Sequence, residues 1–178
     1  DRIFKSFKSF LNITKSNACL IVFEYGIDIN NSKELVGQLG LMQNVIWLPL
    51  MQRKDIITMI GSIDIGIGEI GNYSWFSYGT IYEFICMKKP LIHRRDDDLY
   101  INKIESLYPM YNAANEEELT LALLDVYTNK SKSALIGEKA YSWYISNAIW
   151  TCFVVFSTNE KLHVLNSLKL ILFIISLV

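Results

Sequence analysis

Four short apolar runs set the limits on what this chain can become: Cys19-Leu20-Ile21-Val22-Phe23, Asn44-Val45-Ile46-Trp47-Leu48, Ile63-Asp64-Ile65-Gly66-Ile67-Gly68 and Leu91-Ile92-His93. The first is apolar without a break, the pattern of a parallel strand buried on both faces. The third alternates large and small residues. Between them lie segments with helical punctuation. Ile3, Phe4, Phe7, Phe10 and Leu11 recur at helical spacing, with Arg2, Lys5 and Lys8 opposite, and predict an amphipathic helix over 2–12. Asn31-Ser32 caps a helix through Leu39, closed by Gly40. Pro49 stops the second strand, and a helix follows from Arg53 to Ile60. Leu99 to Ser106 reads as a short helix and Met110-Tyr111-Asn112 as a weak strand. Asn115, with Glu118 three residues on, marks the N-cap of a helix to Tyr127. Strands alternating with helices through short loops predict an α/β fold: a Rossmann-like parallel sheet with helices on both faces.

The stretch from Ser77 to Ile92 concentrates the chemistry. Gly79 permits a close backbone approach, Ser77 or Thr80 can cap the helix that follows, and Pro90 stops it and opens the fourth strand. Lys88 and Lys89 are expected in its last turn, where positive charge suits the helix dipole. The N-terminal end is then a ready anion site. Glu83 lies one turn in, placed to accept hydrogen bonds from hydroxyls beside a phosphate held there. The same residues also serve as ordinary αβ punctuation, with Glu83 a solvated acid. Arg94-Arg95-Asp96-Asp97-Asp98 reads as a solvated charged turn rather than a metal site.

Composition removes several function classes. Seventeen basic residues balance eighteen acidic ones, for a net charge of −1, so no electrostatic footprint for nucleic acid is visible. Cys19, Cys86 and Cys152 lie far apart in apolar runs and read as reduced core residues of a cytoplasmic protein. The two histidines, His93 and His163, have no cysteine or histidine cluster beside them, which argues against zinc. The amphipathic start has no apolar signal core. It also has no initiator methionine and begins mid-helix, as expected of a piece of a longer protein. Residues 1–150 read as one domain and 151–178 as an apolar tail, expected to be helical. An aromatic-rich helical stretch covers Ala140 to Phe156. Leu168 to Val178 is shorter than the ~20 residues of a membrane span. It fits a span cut short, a helix docking on an absent domain, or a shifted reading frame.

In order and spacing, Leu39-Gly40-Leu41, Asn44 to Pro49, Ile63 to Gly68, Gly79-Thr80-Ile81-Tyr82-Glu83 and Lys89-Pro90-Leu91-Ile92 resemble one known domain. It is the C-terminal donor-binding domain of retaining glycosyltransferases of family 4, which have two Rossmann-like domains (the GT-B fold). Ala140-Tyr141-Ser142-Trp143 and Asn147-Ala148-Ile149-Trp150 resemble its closing helices. The resemblance implies a nucleotide-diphosphate sugar as donor substrate, no metal or other cofactor, and no nucleic-acid partner. It implies a glycan or lipid-linked acceptor held by an N-terminal domain, polysaccharide biosynthesis in the cytoplasm, and leaves open peripheral contact with the inner face of a membrane. By resemblance, Glu83 holds the ribose hydroxyls, and Gly79 and Thr80 receive the diphosphate. Leu50, Met51 and Arg53 line the base pocket, and Tyr25-Gly26 approaches the donor. Catalytic residues are not identified.

Two departures stand out. The family carries two glutamates eight positions apart, and the first falls at Trp75 here; Glu69 is near but off the spacing. The arginine and lysine that neutralise the diphosphate would lie before Asp1. The segment is therefore expected not to transfer sugar alone. Two other classes stay open: half of a nucleotide-sugar 2-epimerase, with His93 and Glu69 as acid–base candidates, and a non-catalytic interaction module using Trp47, Trp75, Phe76 and Tyr78. No carboxylate pair for glycoside hydrolysis and no nucleophile–base set is evident.

Overall fold

The computed structural model describes residues 1–71, 79–101, 106–147 and 173–176. In chain order the elements are α1 (Arg2–Thr14), β1 (Cys19–Phe23), α2 (Ile29–Gln38), β2 (Val45–Leu48), α3 (Arg53–Gly61), β3 (Ile65–Ile67), α4 (Gly79–Cys86), β4 (Leu91–His93), β5 (Tyr111–Asn112), α5 (Glu116–Thr128), α6 (Lys130–Asn147) and β6 (Phe173–Ser176). A one-turn 3-10 helix, Asp97–Leu99, lies between β4 and β5. The strands form a sheet in the order β2-β1-β6-β3-β4-β5. β1 pairs parallel with β2 (Leu20 to Val45), β3 with β4 (Gly66 to Leu91) and β4 with β5 (Ile92 to Tyr111). β6 runs antiparallel to both neighbours, Phe173 opposite Val22 and Ile67.

Helices cover both faces, as expected. On one, the α1 side chains Phe4, Phe7 and Phe10 pack with Leu20 and Val22 of β1, Ile65 and Ile67 of β3, and α5. Phe10 meets Tyr127 edge-on at 5.6 Å. On the other, Ile56 and Ile60 of α3 and Ile81, Phe84 and Ile85 of α4 pack on Phe23 and Leu91. The small residue in the third apolar run has a packing reason: a Cβ on Gly66 would stand 2.6 Å from the Phe84 ring.

Helix ends follow left-handed capping. Gly40 (φ +66°) closes α2, with Leu41 N–H donating to the Val36 carbonyl at 2.9 Å. At the end of α4 the same device uses a non-glycine: Lys88 adopts φ +57°, and Lys89 N–H donates to the Phe84 carbonyl at 2.9 Å. Lys88 and Lys89 therefore lie just past the helix rather than in its last turn. α1 likewise ends at Lys15, φ +55°, exposed to solvent. Lys15→Gly should stabilise the fold by about 0.5–1 kcal/mol, since the left-handed cost outweighs the entropy of glycine. A lower urea midpoint in the variant would contradict this.

Four expectations need correction. Phe173–Ser176 is strand, not helix; Phe, Ile and Ile suit a strand, and a central slot offers backbone partners on both sides. The rest of 151–178 lies outside the described residues. α2 begins at Ile29, ahead of Ser32. The helix expected over 99–106 is replaced by the turn at Asp97–Leu99, and Ser106 to Met110 is irregular. Cys86 is exposed and Cys19 half-buried, so neither is a fully buried core residue.

Candidate functional site

In open α/β sheets the crevice beyond the carboxyl ends of the strands is where ligands bind. The predicted site residues that the structure describes all fall on that edge. After β1 come Tyr25, half-exposed, and Gly26, whose φ of +109° an L side chain rarely adopts. After β2 come Leu50, exposed, and Met51, half-buried against the α3–α4 core. Arg53 opens α3, Gly79 opens α4, and Thr80 is buried behind it.

Two of these residues meet directly. Arg53 Nε donates to Glu83 Oε1 at 2.7 Å, linking the starts of α3 and α4. The partners differ sharply in environment: the Glu83 side chain is 10 % exposed and that of Arg53 70 %. Glu83 is the fifth residue of α4, so it lies beyond the first turn. Its ionisation is shifted as well. Burial pushes the carboxyl above the usual range, and the charge and hydrogen bond of Arg53 pull part of the way back. Its ionised form thus leans on Arg53 rather than on the helix start. A carboxylate has about four acceptor positions, and Arg53 uses one. Glu83 is a buried acceptor held in place by a cation that faces solvent.

The charged turn after β4 holds a second polar group. Arg95 is buried, donating from Nε to Asp97 Oδ1 at 2.5 Å and from Nη1 to the Tyr108 carbonyl at 2.9 Å, with its guanidinium 4.5 Å from the Tyr108 ring centre. The turn is therefore anchored, not simply solvated. His93 is fully buried. Its Nδ1 lies 3.0 Å from the Arg94 carbonyl, which can only accept, so Nδ1 carries the proton and Nε2 accepts from the Tyr108 hydroxyl at 2.9 Å. Desolvation is the main reason its pKa falls to about 4. With both nitrogens engaged and no solvent access, His93 is a poor acid–base group for a substrate. No periodicity announced this network: its members lie up to 15 residues apart across a turn.

Trp75, with Phe76 and Tyr78, lies outside the described residues. Tyr25 and Gly26 share the edge with Glu83, but β1 is separated from β3 by β6. A cavity of about 280 Å³, lined by Asp64, Lys89, Pro90, Lys130 and Ser133 among others, lies at the opposite edge and includes none of the predicted residues. Among the described residues there is no group of three or more His, Cys, Asp or Glu side chains placed to hold a metal ion. No helix among them is long and apolar enough to cross a membrane.

Among solved structures, the chain is similar to HepE from Anabaena. Against HepE in complex with UDP-glucose the TM-score is 0.51 at 16 % identity, covering 68 % of this chain and 34 % of HepE. Against HepE in complex with UDP it is 0.50 at 17 %, covering 73 % and 38 %. The chain thus spans little more than a third of the length of the structures it matches. At this identity the likeness shows a shared α/β fold. No protein-family model matches the chain, and neither does any curated protein.

Proposed function

We propose that this chain is the donor-binding half of a glycosyltransferase of the two-domain kind, similar to family 4, and that it binds a nucleotide-diphosphate sugar at the carboxyl edge of its sheet. Glu83 carries the reading. A carboxylate nine-tenths buried at that edge, with acceptor positions left over, suits the paired hydroxyls of a ribose. Gly79 and Thr80 at the start of α4 receive the diphosphate through backbone N–H groups. Leu50, Met51 and Arg53 face the base, and the backbone at Tyr25-Gly26 approaches the sugar. In sequence, eight positions before Glu83, Trp75 replaces the glutamate that the resemblance associates with contacts to that sugar. The likeness to a structure solved with UDP-glucose supports UDP as the first nucleotide to try. The acceptor, a glycan or lipid-linked glycan, belongs to a second domain, and no metal is part of the proposal. The epimerase alternative loses support because His93 is inaccessible. The interaction-module alternative retains one observation, the exposed Ile27, Leu50, Leu99 and Ile101 on the same edge.

Titration calorimetry with UDP tests the proposal. Glu83→Gln should weaken binding at least about tenfold, since charged acceptors contribute ~1.5–3 kcal/mol per hydrogen bond and ~1.4 kcal/mol is one decade. Stability should change by less than about 1 kcal/mol. The substitution removes a buried carboxylate, whose desolvation cost offsets its ion pair with the solvent-facing Arg53, and glutamine keeps an oxygen that Arg53 Nε can donate to. Equal affinity in the two proteins, or no binding of UDP or UDP-glucose at all, would remove Glu83 from the site.

A further inference from the structure

Among the described strands one is reversed, and it lies in the centre of the sheet. β1 to β5 all run the same way, and β6 runs against both neighbours. An antiparallel strand in an otherwise parallel sheet ordinarily sits at an edge. In the doubly wound order 3-2-1-4-5-6 the first strand lies between the second and the fourth. With β1 taken as the second strand, the observed order β2-β1-β6-β3-β4-β5 puts β6 in the slot of the first.

α1 points to the same slot independently. Its buried face packs on Leu20 and Val22 on one side of the slot and on Ile65 and Ile67 on the other. Its last turn leads into the amino end of β1. Its first turn lies at the carboxyl edge: Arg2 Nη1 donates to the Ile70 carbonyl just after β3 at 3.4 Å, and Phe4 meets Trp47 near the end of β2 at 6.1 Å. A parallel strand in the slot would therefore end beside the start of α1 and reach it through a short turn, completing a strand–helix–strand unit with β1.

We propose that the slot between β1 and β3 is a strand-exchange site, held by β6 and suited to a parallel apolar strand joined directly to the amino end of α1. Such a strand would offer backbone partners to both β1 and β3 in place of β6. Tethered to a helix already docked over the slot, it would compete at high effective concentration. This inference does not rest on the nucleotide reading.

The test extends residues 1–178 at Asp1 with five β-branched apolar residues and a short glycine-containing turn. Backbone hydrogen exchange is then followed in the original and extended proteins. In the original, residues 173–176 should be protected like β1. In the extended protein the added strand should become protected and 173–176 should exchange at least about a hundredfold faster, with β1 and β3 unchanged. Continued protection of 173–176, with the added residues exchanging freely, would overturn the proposal. A second measurement uses Ile174→Pro, which removes a ladder donor from a central strand. It should lower the melting temperature of the original protein, or prevent its folding, and leave the extended protein unchanged. An equal loss in both, or no loss in either, would also overturn it.

Discussion

Gly137→Ala should lower the stability of the fold by about 3 kcal/mol, while Gly37→Ala should raise it by about 0.5–1 kcal/mol, although both glycines sit inside helices. The difference lies in what a methyl group meets. Around Gly37, exposed on α2, a Cβ has nothing within 4 Å, so alanine only removes the backbone entropy that glycine loses on folding. At Gly137 a Cβ would stand 2.1 Å from the Lys88 carbonyl oxygen and 3.1 Å from Pro90 N. Those atoms are backbone, in the capped turn that joins α4 to β4, and cannot rotate away. α6 would have to lift by more than an ångström. That loosens Ala140 in the core, the Tyr82–Tyr144 ring contact at 5.3 Å and the Tyr108–Trp143 contact at 5.2 Å. At about 2–4 °C per kcal/mol for a chain of this length, the melting temperature should fall by roughly 6–12 °C. Urea denaturation of the two variants beside the parent measures both signs. A Gly137→Ala protein within about 0.5 kcal/mol of the parent would mean that α6 does not dock on that turn.

The same glycine shows where reading the sequence stops. β1 to β4 were legible because each is a local apolar run with glycine, proline or asparagine close by; β3 and β4 are buried throughout, while β2, at the end of the strand order, leaves Ile46 exposed. The Asn115 cap was legible for a similar reason: Asn115 Oδ1 accepts from Glu118 N–H at 2.9 Å, a bond contained within four residues. α6 instead begins at Lys130, ten residues ahead of the aromatic stretch that announced it. Lys130 to Lys139 has no clear apolar stripe, and a glycine inside it reads as a breaker until the Lys88 carbonyl is known to be there. β6 is the extreme case. Nothing in an eleven-residue apolar run distinguishes a docked helix from a central strand, because the choice is made by partners more than a hundred residues away.

The site divides along the same line. That the loops after β1, β2 and β3 converge on one edge follows from a parallel sheet, and so was legible once the strands were assigned. The contact between Arg53 and Glu83 was not, since the two are 30 residues apart and meet only because α3 and α4 pack on the same face. The raised pKa of Glu83 was likewise hidden. A position near a helix start argues for ionisation, and only the burial of the side chain reverses the balance.

Acidification should expose the other buried group. His93 titrates at about 4 in the folded protein against 6.5 for a histidine in water. Burial is the chief cause; the hydrogen bond to the Arg94 carbonyl opposes it in part, the nearby Arg95 charge adds to the lowering, and Asp97 opposes it least. Between those two values the unfolded chain binds a proton that the folded chain refuses, so stability rises with pH across this window and falls as acid is added. The gap corresponds to about 3 kcal/mol in full, with about 2 kcal/mol already lost near pH 5. Glu83 works the other way, because its raised pKa lets the folded state take up a proton earlier than the unfolded one, and other carboxylates contribute as well. The measurement is therefore a difference. Unfolding free energies of the parent and of His93→Gln are taken by urea from about pH 7.5 to about pH 4.5. Glutamine can still donate toward the Arg94 carbonyl and accept from Tyr108, but it cannot charge. The parent should lose about 2 kcal/mol more than the variant by pH 5. The two curves should run parallel above about pH 7, where neither state protonates this residue. Curves parallel over the whole range would mean that His93 takes up its proton as readily folded as unfolded, and that the Tyr108–His93–Arg94 network opens to water.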